Sequence, residues 1–256
     1  MIVGIVQARM GSKRFPGKVM QEVMGKSLLH HLLERLEQSE LIDSIIVATG
    51  PGSENEVIRD EAISLGFDCP YTYRPEDDVL ARFYDAAVLY QGDTIVRITG
   101  DCPLVNPWVV DEVISSLGDN DFATNVLRRT FPRGLDVEVI PFKTLWGLQQ
   151  LLSPDHPDRE HVCSYIYKVP HMFDIASVED DEEHPELRWC VDHEEDIEDV
   201  ERILGYGLIP YHDVMRREDG QTDDDVSWTG GPTRGAGEAD ADDGGDEGYE
   251  TTDEQY

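Results

Sequence analysis

Residues 2–18 read IVGIVQARMGSKRFPGK, a short apolar run that leads directly into a basic loop with two glycines. The run 2–6 has the length and composition of a buried strand. The loop that follows carries four basic side chains, namely Arg9, Lys13, Arg14 and Lys18. Glycines let backbone N–H groups approach an anion closely, and arginine and lysine neutralise phosphate charge. The stretch therefore predicts a strand followed by a phosphate-binding loop, and a basic surface loop without a ligand is the alternative.

The common phosphate-binding patterns are absent from this loop. It contains neither the G-x-x-x-x-G-K-[ST] pattern of P-loop proteins nor the G-x-G-x-x-G pattern of dinucleotide-binding proteins. The loop must therefore be interpreted from the elements and motifs around it.

Strand patterns and amphipathic helix patterns alternate along the rest of the chain. Strands are predicted at residues 2–6, 45–49, 94–98, 121–126, 135–140, 172–178 and 187–191. Helices are predicted at residues 28–38, 54–65, 78–90, 107–117, 141–152, 158–168 and 194–204. Continuous apolar strands separated by such helices indicate an α/β fold with a largely parallel sheet covered on both faces. Ligands bind such folds beyond the carboxyl ends of the strands, so we expect a site formed by loops 8–18, 99–107 and 192–194.

The charge balance restricts the partners. The chain has 256 residues, with 54 acidic and 21 basic side chains and a net charge of −33. A surface this acidic repels nucleic acid and anionic membrane, so neither is expected as a partner. The bases are 16 arginines and only 5 lysines. An excess of acids with few lysines indicates a halophilic protein, because high salt screens self-repulsion; a mesophilic acidic protein is the alternative.

The cysteines and the two ends of the chain bear on location and domain organisation. The cysteines are widely spaced and form no C-x-x-C pair, which argues against a structural zinc site. No basic segment precedes the first apolar run, so we expect no signal peptide and a cytoplasmic location. Residues 218–256 contain 14 acids and one base, and they are predicted to form a disordered tail after a folded domain at residues 1–217.

Two aspartates follow predicted strands that are far apart in the sequence. Asp101 comes shortly after the strand at 94–98, and Asp192 comes directly after the strand at 187–191. If both strands belong to one sheet, the two carboxylates can meet at its carboxyl edge. Mg²⁺ accepts one or two carboxylates together with waters and phosphate oxygens. The alternatives are a turn aspartate before Pro103 for Asp101 and a helix N-cap for Asp192.

Several segments carry a family resemblance. ARMGSKRFPGK at residues 8–18 resembles the A-R-x-x-S-x-R-x-P-x-K signature of the cytidylyltransferases that activate acidic sugars, the acylneuraminate and 3-deoxy-manno-octulosonate cytidylyltransferases. RITGDCPL at 97–104, GLDVEV at 134–139 and VDHEED at 191–196 are similar to further motifs of that family, most of all to its spore-coat polysaccharide biosynthesis protein F group. The resemblance covers about residues 1–210. It implies a three-layer α/β/α Rossmann-like nucleotide-diphospho-sugar transferase fold with a mostly parallel mixed sheet.

The resemblance also implies roles for individual residues. Asp101 and Asp192 would hold Mg²⁺ and would act with Lys18 as the catalytic residues. The positions expected to bind the nucleotide are Ala8, Arg9, Gly11, Ser12, Arg14, Lys18, Arg74, Thr99 and Gly100. The positions expected to bind the acceptor are Arg133, Asp136, Glu138, Arg159, Glu160 and His161. Each acceptor-side residue also has a structural alternative, such as an ordinary helix surface or a packed histidine.

Two further positions leave alternatives open. Arg82 resembles a family residue that orders the site near the nucleotide, but it could equally pair with Asp78, its i, i+4 helical neighbour. Cys163 stands where the family usually has threonine, so the polarity around this position differs from the family pattern.

The activity implied by the resemblance is transfer of CMP from CTP to a sugar or sugar acid, with release of pyrophosphate, by an enzyme that often forms homodimers. Three other functions stay open on the sequence alone. The chain could use another nucleotide or a non-sugar acceptor, or it could bind nucleotides without catalysis. It could also be a glycosyltransferase of similar fold, although GDCP at 100–103 does not match the D-x-D type of metal motif which that function needs.

The charge composition leads to a prediction about salt. We expect the protein to unfold in dilute buffer and to gain stability up to roughly 1 M salt, where the Debye length falls to about 3 Å. Thermal unfolding measured across a KCl titration checks this. Full stability in dilute buffer would contradict the halophilic interpretation.

Overall fold

The computed structural model describes residues 1–220 of the chain. Its strands are β1 (Ile2–Gln7), β2 (Glu22–Val23), β3 (Lys26–Ser27), β4 (Ser44–Ala48), β5 (Thr94–Thr99), β6 (Phe122–Thr124), β7 (Glu138–Pro141) and β8 (Ile175–Ser177). Its helices are α1 (Leu28–Leu36), α2 (Glu56–Ser64), α3 (Val79–Leu89), α4 (Pro107–Ser116), α5 (Phe142–Leu151), α6 (Ser164–Lys168), α7 (Asp196–Leu204) and α8 (Tyr211–Glu218). Within this range, no helix combines the length and the apolar character needed to cross a membrane.

Six strands form the central sheet, in the order β4–β1–β5–β7–β6–β8. The strand β1 pairs in parallel with β4 and β5, and β6 pairs in parallel with β8. The strand β7 runs antiparallel to both of its neighbours, β5 and β6. The predicted mostly parallel mixed sheet is thus confirmed, with β7 as its reversed strand. The strands β2 and β3 form a separate hairpin.

Helices cover both faces of the sheet because its strands carry apolar side chains on both sides. In β1, Val3 and Ile5 belong to one core, and Val6 belongs to the other. The first core is completed by α3, α5 and α6, and the second by α1, α2, α4, α7 and α8. Complete burial of one leucine side chain contributes about 1.5–3 kcal/mol. In α1, the fully buried leucines are Leu28, Leu29, Leu32, Leu33 and Leu36.

Local capping fixes where several helices begin. The Ser27 hydroxyl accepts a hydrogen bond from the backbone N–H of His30 at 3.0 Å and starts α1. The Asp78 carboxylate accepts from the N–H of Ala81 at 3.2 Å and starts α3. Pro107 is the first residue of α4, as expected from its fixed φ and missing N–H.

Two predicted elements differ from the structure. The strand predicted at 187–191 is wrong, because this segment forms only an isolated bridge between Arg133 and Arg188. Its partner segment is a turn rather than a strand, so no ladder can continue. The helix predicted at 158–168 is interrupted: a 3₁₀ turn at Pro157–Arg159 is followed by α6, and Val162 between them has a φ of 32°.

Some elements of the structure were not predicted from the sequence, and one predicted segment lies almost entirely outside the described residues. The β2–β3 hairpin and α8 were not predicted. The predicted acidic tail, residues 218–256, lies outside the described residues except for its first three, of which Glu218 ends α8.

Gly134 lets the segment that carries Asp192 lie against the body of the domain. Arg133 and the 187–189 segment exchange two backbone hydrogen bonds, from Arg133 N to Leu187 O at 2.9 Å and from Trp189 N to Arg133 O at 2.6 Å. Gly134 has a φ of 106°, and a Cβ at this position would lie 2.5 Å from the backbone carbon and oxygen of Trp189. The contact is therefore possible only without a side chain.

Replacing this glycine should destabilise the protein. We expect Gly134→Ala to lower the free energy of unfolding by about 2–4 kcal/mol, because left-handed backbone strain and a backbone clash add together. Gly25→Ala is the matched control, since Gly25 has a φ of 79° but open space around its Cβ position, and the strain alone costs about 1–2 kcal/mol. Urea unfolding of both variants measures the difference, and equal losses would contradict a packing role for Gly134.

Candidate active site

A pocket of about 420 Å³ lies beyond the carboxyl ends of β1 and β5, as expected for this type of sheet. It brings together many of the residues singled out from the sequence. These residues are Ala8, Arg9, Ser12, Arg14, Lys18, Thr99, Gly100, Asp101, Glu160, His161 and Asp192. The remaining lining residues are Gln7, Lys13, Val19 and Arg97. One cavity is thus lined by residues from separate parts of the chain: the basic loop, the ends of β1 and β5, and the turn before α6.

The two aspartates meet at the ammonium group of Lys18. Lys18 Nζ lies 2.7 Å from Asp101 Oδ2 and 3.1 Å from Asp192 Oδ1. It also donates to the backbone oxygen of Val191 at 2.7 Å. Because both carboxylates touch the same nitrogen, their oxygens are separated by no more than the sum of these two distances. The predicted meeting of Asp101 and Asp192 is therefore observed, with Lys18 between them.

Lys18 is held in place by the loop that carries it. Gly17 has a φ of 71°, its N–H donates to Met10 O at 3.0 Å, and a short 3₁₀ turn begins at Lys18. Burial by itself lowers the pKa of Lys18, but the hydrogen bonds and charges of Asp101 and Asp192 outweigh it and raise the pKa above its ordinary value. The lysine is thus charged at neutral pH.

Asp192 accepts from three cationic side chains. Besides Lys18, it contacts Arg14 at 2.6 Å and Arg188 at 2.9 Å. Burial acts to raise the pKa of Asp192, but Lys18 first and then Arg188 and Arg14 lower it below its ordinary value. The backbone N–H groups of Asp192 and His193 donate to Asp196 Oδ2 at 2.7 and 2.8 Å. Asp192 is therefore not the N-cap of α7, and its carboxylate is free of any capping role.

Asp101 is positioned by a close approach of two strand ends. The N–H of Gly100 donates to Gln7 O at 2.8 Å, and a Cβ on Gly100 would lie 2.9 Å from that oxygen. The backbone oxygen of Asp101 accepts from Val191 N at 2.8 Å, which joins the two aspartate-bearing segments directly. Asp101 thus lies in a turn, as the structural alternative predicted, but its side chain faces the ammonium group of Lys18 in the pocket.

The basic loop covers the pocket and is anchored at several points. Arg9 lies between Glu76 and Glu160, at 3.4 and 3.2 Å. The N–H of Met10 donates to the side-chain oxygen of the buried Asn55 at 2.9 Å. These contacts make the loop a wall of the pocket.

On the acceptor side, the interrupted helix decides which residues reach the pocket. Glu160 and His161 lie in the turn before α6 and line the pocket. Arg159 does not, because its buried guanidinium pairs with Asp78 at 2.8 Å and donates to Leu152 O at 2.9 Å. The ion pair between Arg82 and Asp78, which the sequence left as an alternative, is not formed.

Arg82 instead holds the turn that presents Glu76 to Arg9. Its Nη1 donates to the backbone oxygens of Pro75 and Glu76 at 2.7 and 2.8 Å. Burial lowers the pKa of Arg82, while the charge of Glu76 raises it. Arg82 therefore orders the wall of the pocket indirectly.

The other predicted site residues do not line this pocket. Glu138 pairs with Arg97 and accepts from the Tyr167 hydroxyl at 2.8 Å. The further positions outside the lining are Gly11, Arg74, Arg133 and Asp136. Of these, Arg74 forms a two-point ion pair with Asp85, Asp136 forms one with Arg129, and the Arg133 side chain is exposed.

Two charged side chains at the site were not predicted from the sequence. Arg97 extends from β5 into the pocket, and its charged side chain within the apolar run TIVRI was a usable signal. Arg188 contacts Asp192 four residues later, but no family motif pointed to it. The third partner of the Lys18 ammonium group, the backbone oxygen of Val191, could not be predicted, because a backbone contact does not depend on the identity of the side chain.

The donor set around Lys18 fits a hard cation only in part. Within residues 1–220, no three His, Cys, Asp or Glu side chains are grouped so that they could hold a metal ion by themselves. Two carboxylates do converge on one position, and Mg²⁺ completes such a pair with waters and substrate phosphates. The residues therefore fit Mg²⁺ in the presence of a phosphate ligand.

Comparisons with known proteins show which family the chain resembles. A family model described as cytidylyltransferase matches residues 3–203. An uncharacterised protein of Methanocaldococcus jannaschii is 40% identical over 70% of this chain and 72% of its own length. The spore coat polysaccharide biosynthesis protein SpsF of Bacillus subtilis is 30% identical over 79% of this chain and 85% of its own length. The solved structure of a cytidylyltransferase from Leptospira borgpetersenii superposes with a TM-score of 0.79 at 28% identity, and the match covers 86% of this chain and 98% of that one.

The family match covers most of the chain, and the relatives match over most of their own lengths. The predicted resemblance is confirmed by these matches, and so is the Rossmann-like nucleotidyltransferase fold. The chain therefore belongs to the cytidylyltransferase family of nucleotidyltransferases.

Proposed function

We propose that this protein transfers CMP from CTP to a sugar or sugar acid and releases pyrophosphate. One observation carries the proposal: Asp101 and Asp192 converge on a single cation position beside a basic loop. Nucleotidyl transfer needs charge neutralisation and positioning more than it needs a covalent catalyst. A paired carboxylate site next to clustered arginines and lysines is suited to both tasks.

The nucleotide would lie along the basic loop. Arg9, Lys13 and Arg14 line the pocket and would neutralise the triphosphate, and Lys18 would join them. Ala8 lines the pocket directly after β1, and its backbone oxygen would read the cytosine edge. Thr99 and Gly100 lie at the end of the neighbouring parallel strand β5, where ribose would fit.

Mg²⁺ is the cofactor we propose for Asp101 and Asp192. When bound, it would neutralise phosphate charge and make the α-phosphorus a better electrophile. Arg188 and Arg14 keep Asp192 ionised, and Asp196 fixes its backbone, so the carboxylate is already charged and oriented.

The acceptor would enter from the side of Glu160 and His161. Its hydroxyl oxygen would attack the α-phosphorus and lose its proton to solvent, while the bond from that phosphorus to the bridging oxygen breaks and pyrophosphate leaves with the electron pair. Glu160 can accept hydrogen bonds from sugar hydroxyls, and Arg97, which pairs with Glu138 and lines the pocket, would face an acceptor carboxylate. The relation to SpsF supports a place in the synthesis of surface polysaccharides or other glycans.

The proposed function leads first to a prediction about the nucleotide and the acceptor. With Mg²⁺ and a panel of acidic sugars, we expect pyrophosphate release from CTP and at most weak release from ATP, GTP and UTP. Mass analysis should then find a CMP–sugar product. Release with another nucleotide, or a CMP adduct only on non-sugar alcohols, would replace the proposal by one of the other nucleotidyltransferase functions.

The second prediction concerns Asp101. We expect Asp101→Asn to lower the turnover rate by at least about 10²-fold, as expected when a charged group that stabilises the transition state is removed. Asp119→Asn, in an exposed turn after α4, is the matched control and should leave the rate unchanged. Circular dichroism of both variants verifies folding. A folded Asp101→Asn protein with normal turnover would remove Asp101 from the proposed chemistry.

A further inference from the structure

We propose that Lys18 is a removable stand-in for the metal ion: its ammonium group holds Asp101 and Asp192 together in the free protein and must leave before a metal binds there. Metal and nucleotide binding would consequently be cooperative. This inference rests on the proposed function, since it concerns how the proposed metal site is kept ready.

The ammonium group of Lys18 is saturated by its present contacts. An ammonium has three N–H donors, and three oxygens surround Lys18 Nζ, from Asp101, Asp192 and the backbone of Val191. The Lys18 side chain is only 10% exposed. It therefore replaces water as the partner of both carboxylates.

A metal ion cannot join this arrangement without displacing Lys18. Mg²⁺ binds carboxylate oxygens at about 2.1 Å, so an ion held by Asp101 Oδ2 and Asp192 Oδ1, the two oxygens that contact Nζ, would compete with Nζ for the same space. Two cations at such short range repel each other strongly in a partly buried site. Removing Lys18 without a replacement is also unfavourable, because Asp101 would lose its cationic partner and face Asp192. Arg14 and Arg188 would then balance the charge of Asp192 alone.

The loop allows the side chain of Lys18 to move while its backbone stays fixed. Gly17 and the 3₁₀ turn hold the main chain, and the four-carbon side chain can rotate into the pocket next to Arg9 and Arg14. Without a ligand, Arg9 is paired with Glu76 and Glu160, so this part of the pocket offers Lys18 no anion of its own. A triphosphate supplies the acceptors that make the move favourable.

Lys18 would thus have two alternative anionic partners, the aspartates or the nucleotide. A metal ion that takes the aspartates frees Lys18 for phosphate, and a phosphate that takes Lys18 frees the aspartates for metal. The two ligands must then strengthen each other's binding by the same factor.

The test uses Mn²⁺, which also prefers oxygen ligands, without any nucleotide. Electron paramagnetic resonance counts free Mn²⁺ in titrations of the unaltered protein, Lys18→Met and Lys26→Met. We expect Lys18→Met to bind one Mn²⁺ at least tenfold more tightly than the unaltered protein. Lys26→Met removes the same charge from an exposed pair with Glu34, outside the pocket, and should change nothing.

A further variant assigns the bound ion to this site. Adding Asp192→Asn to Lys18→Met should abolish the tight Mn²⁺ site. Equal or weaker Mn²⁺ affinity in Lys18→Met, or a tight site that survives Asp192→Asn, would overturn the proposal. Pyrophosphate release from CTP is measured separately, so an active enzyme with a Lys18 that does not compete with metal would leave the proposed function standing.

The unaltered protein offers a second measurement, in case Lys18→Met does not fold. The chain has only 5 lysines, so the side-chain nitrogens can be followed one by one by NMR after labelling with ¹⁵N-lysine. Mg²⁺ should shift the Lys18 Nζ resonance and leave that of Lys26 unchanged. A Lys18 resonance that stays fixed at saturating Mg²⁺ and CTP would also overturn the proposal.

Discussion

The ion contact between Lys18, Asp101 and Asp192 is the constraint on which the site depends. Breaking a buried ion pair by removing one partner costs about 3–5 kcal/mol, whereas an exposed pair contributes about 0–1 kcal/mol. The Lys18 side chain is 10% exposed and belongs to the first kind, while that of Lys26, at 39%, belongs to the second. The contact therefore stabilises the domain only when the three separate segments that carry Lys18, Asp101 and Asp192 lie next to each other.

The fold satisfies this requirement through backbone contacts rather than through side chains alone. β1 delivers the basic loop, and Gly100 allows the end of β5 to touch it. The segment that carries Asp192 belongs to no strand, and it is held by hydrogen bonds to Arg133 and to the backbone of Asp101. Arg14 and Arg188 then surround Asp192 with positive charge, so a strongly acidic chain concentrates its cations where a triphosphate would bind.

The fold and the centre of the site could be predicted because they rest on local patterns. Apolar strand runs and helical periodicity gave the layers, and the loop at 8–18 together with the two aspartates gave the pocket. The contributions of Arg159 and Glu138 could not be predicted, since their partners, Asp78 and Arg97, are distant in sequence. The strand expected at 187–191 did not form: Trp189 and Val191 are buried, but the segment beside it is not a strand and pairs with it only through the Arg133–Arg188 bridge.

The tight packing of Gly134 against Trp189 has a consequence for how the enzyme can diversify. The segment around Gly134 resembles a motif assigned to the acceptor, yet it also supports the backbone that leads to Asp192. For the sugar acceptor proposed above, a change there that accommodates a different sugar would also disturb the position of Asp192. A change in the turn at residues 160–161 would not, because this turn borders the pocket without supporting either aspartate.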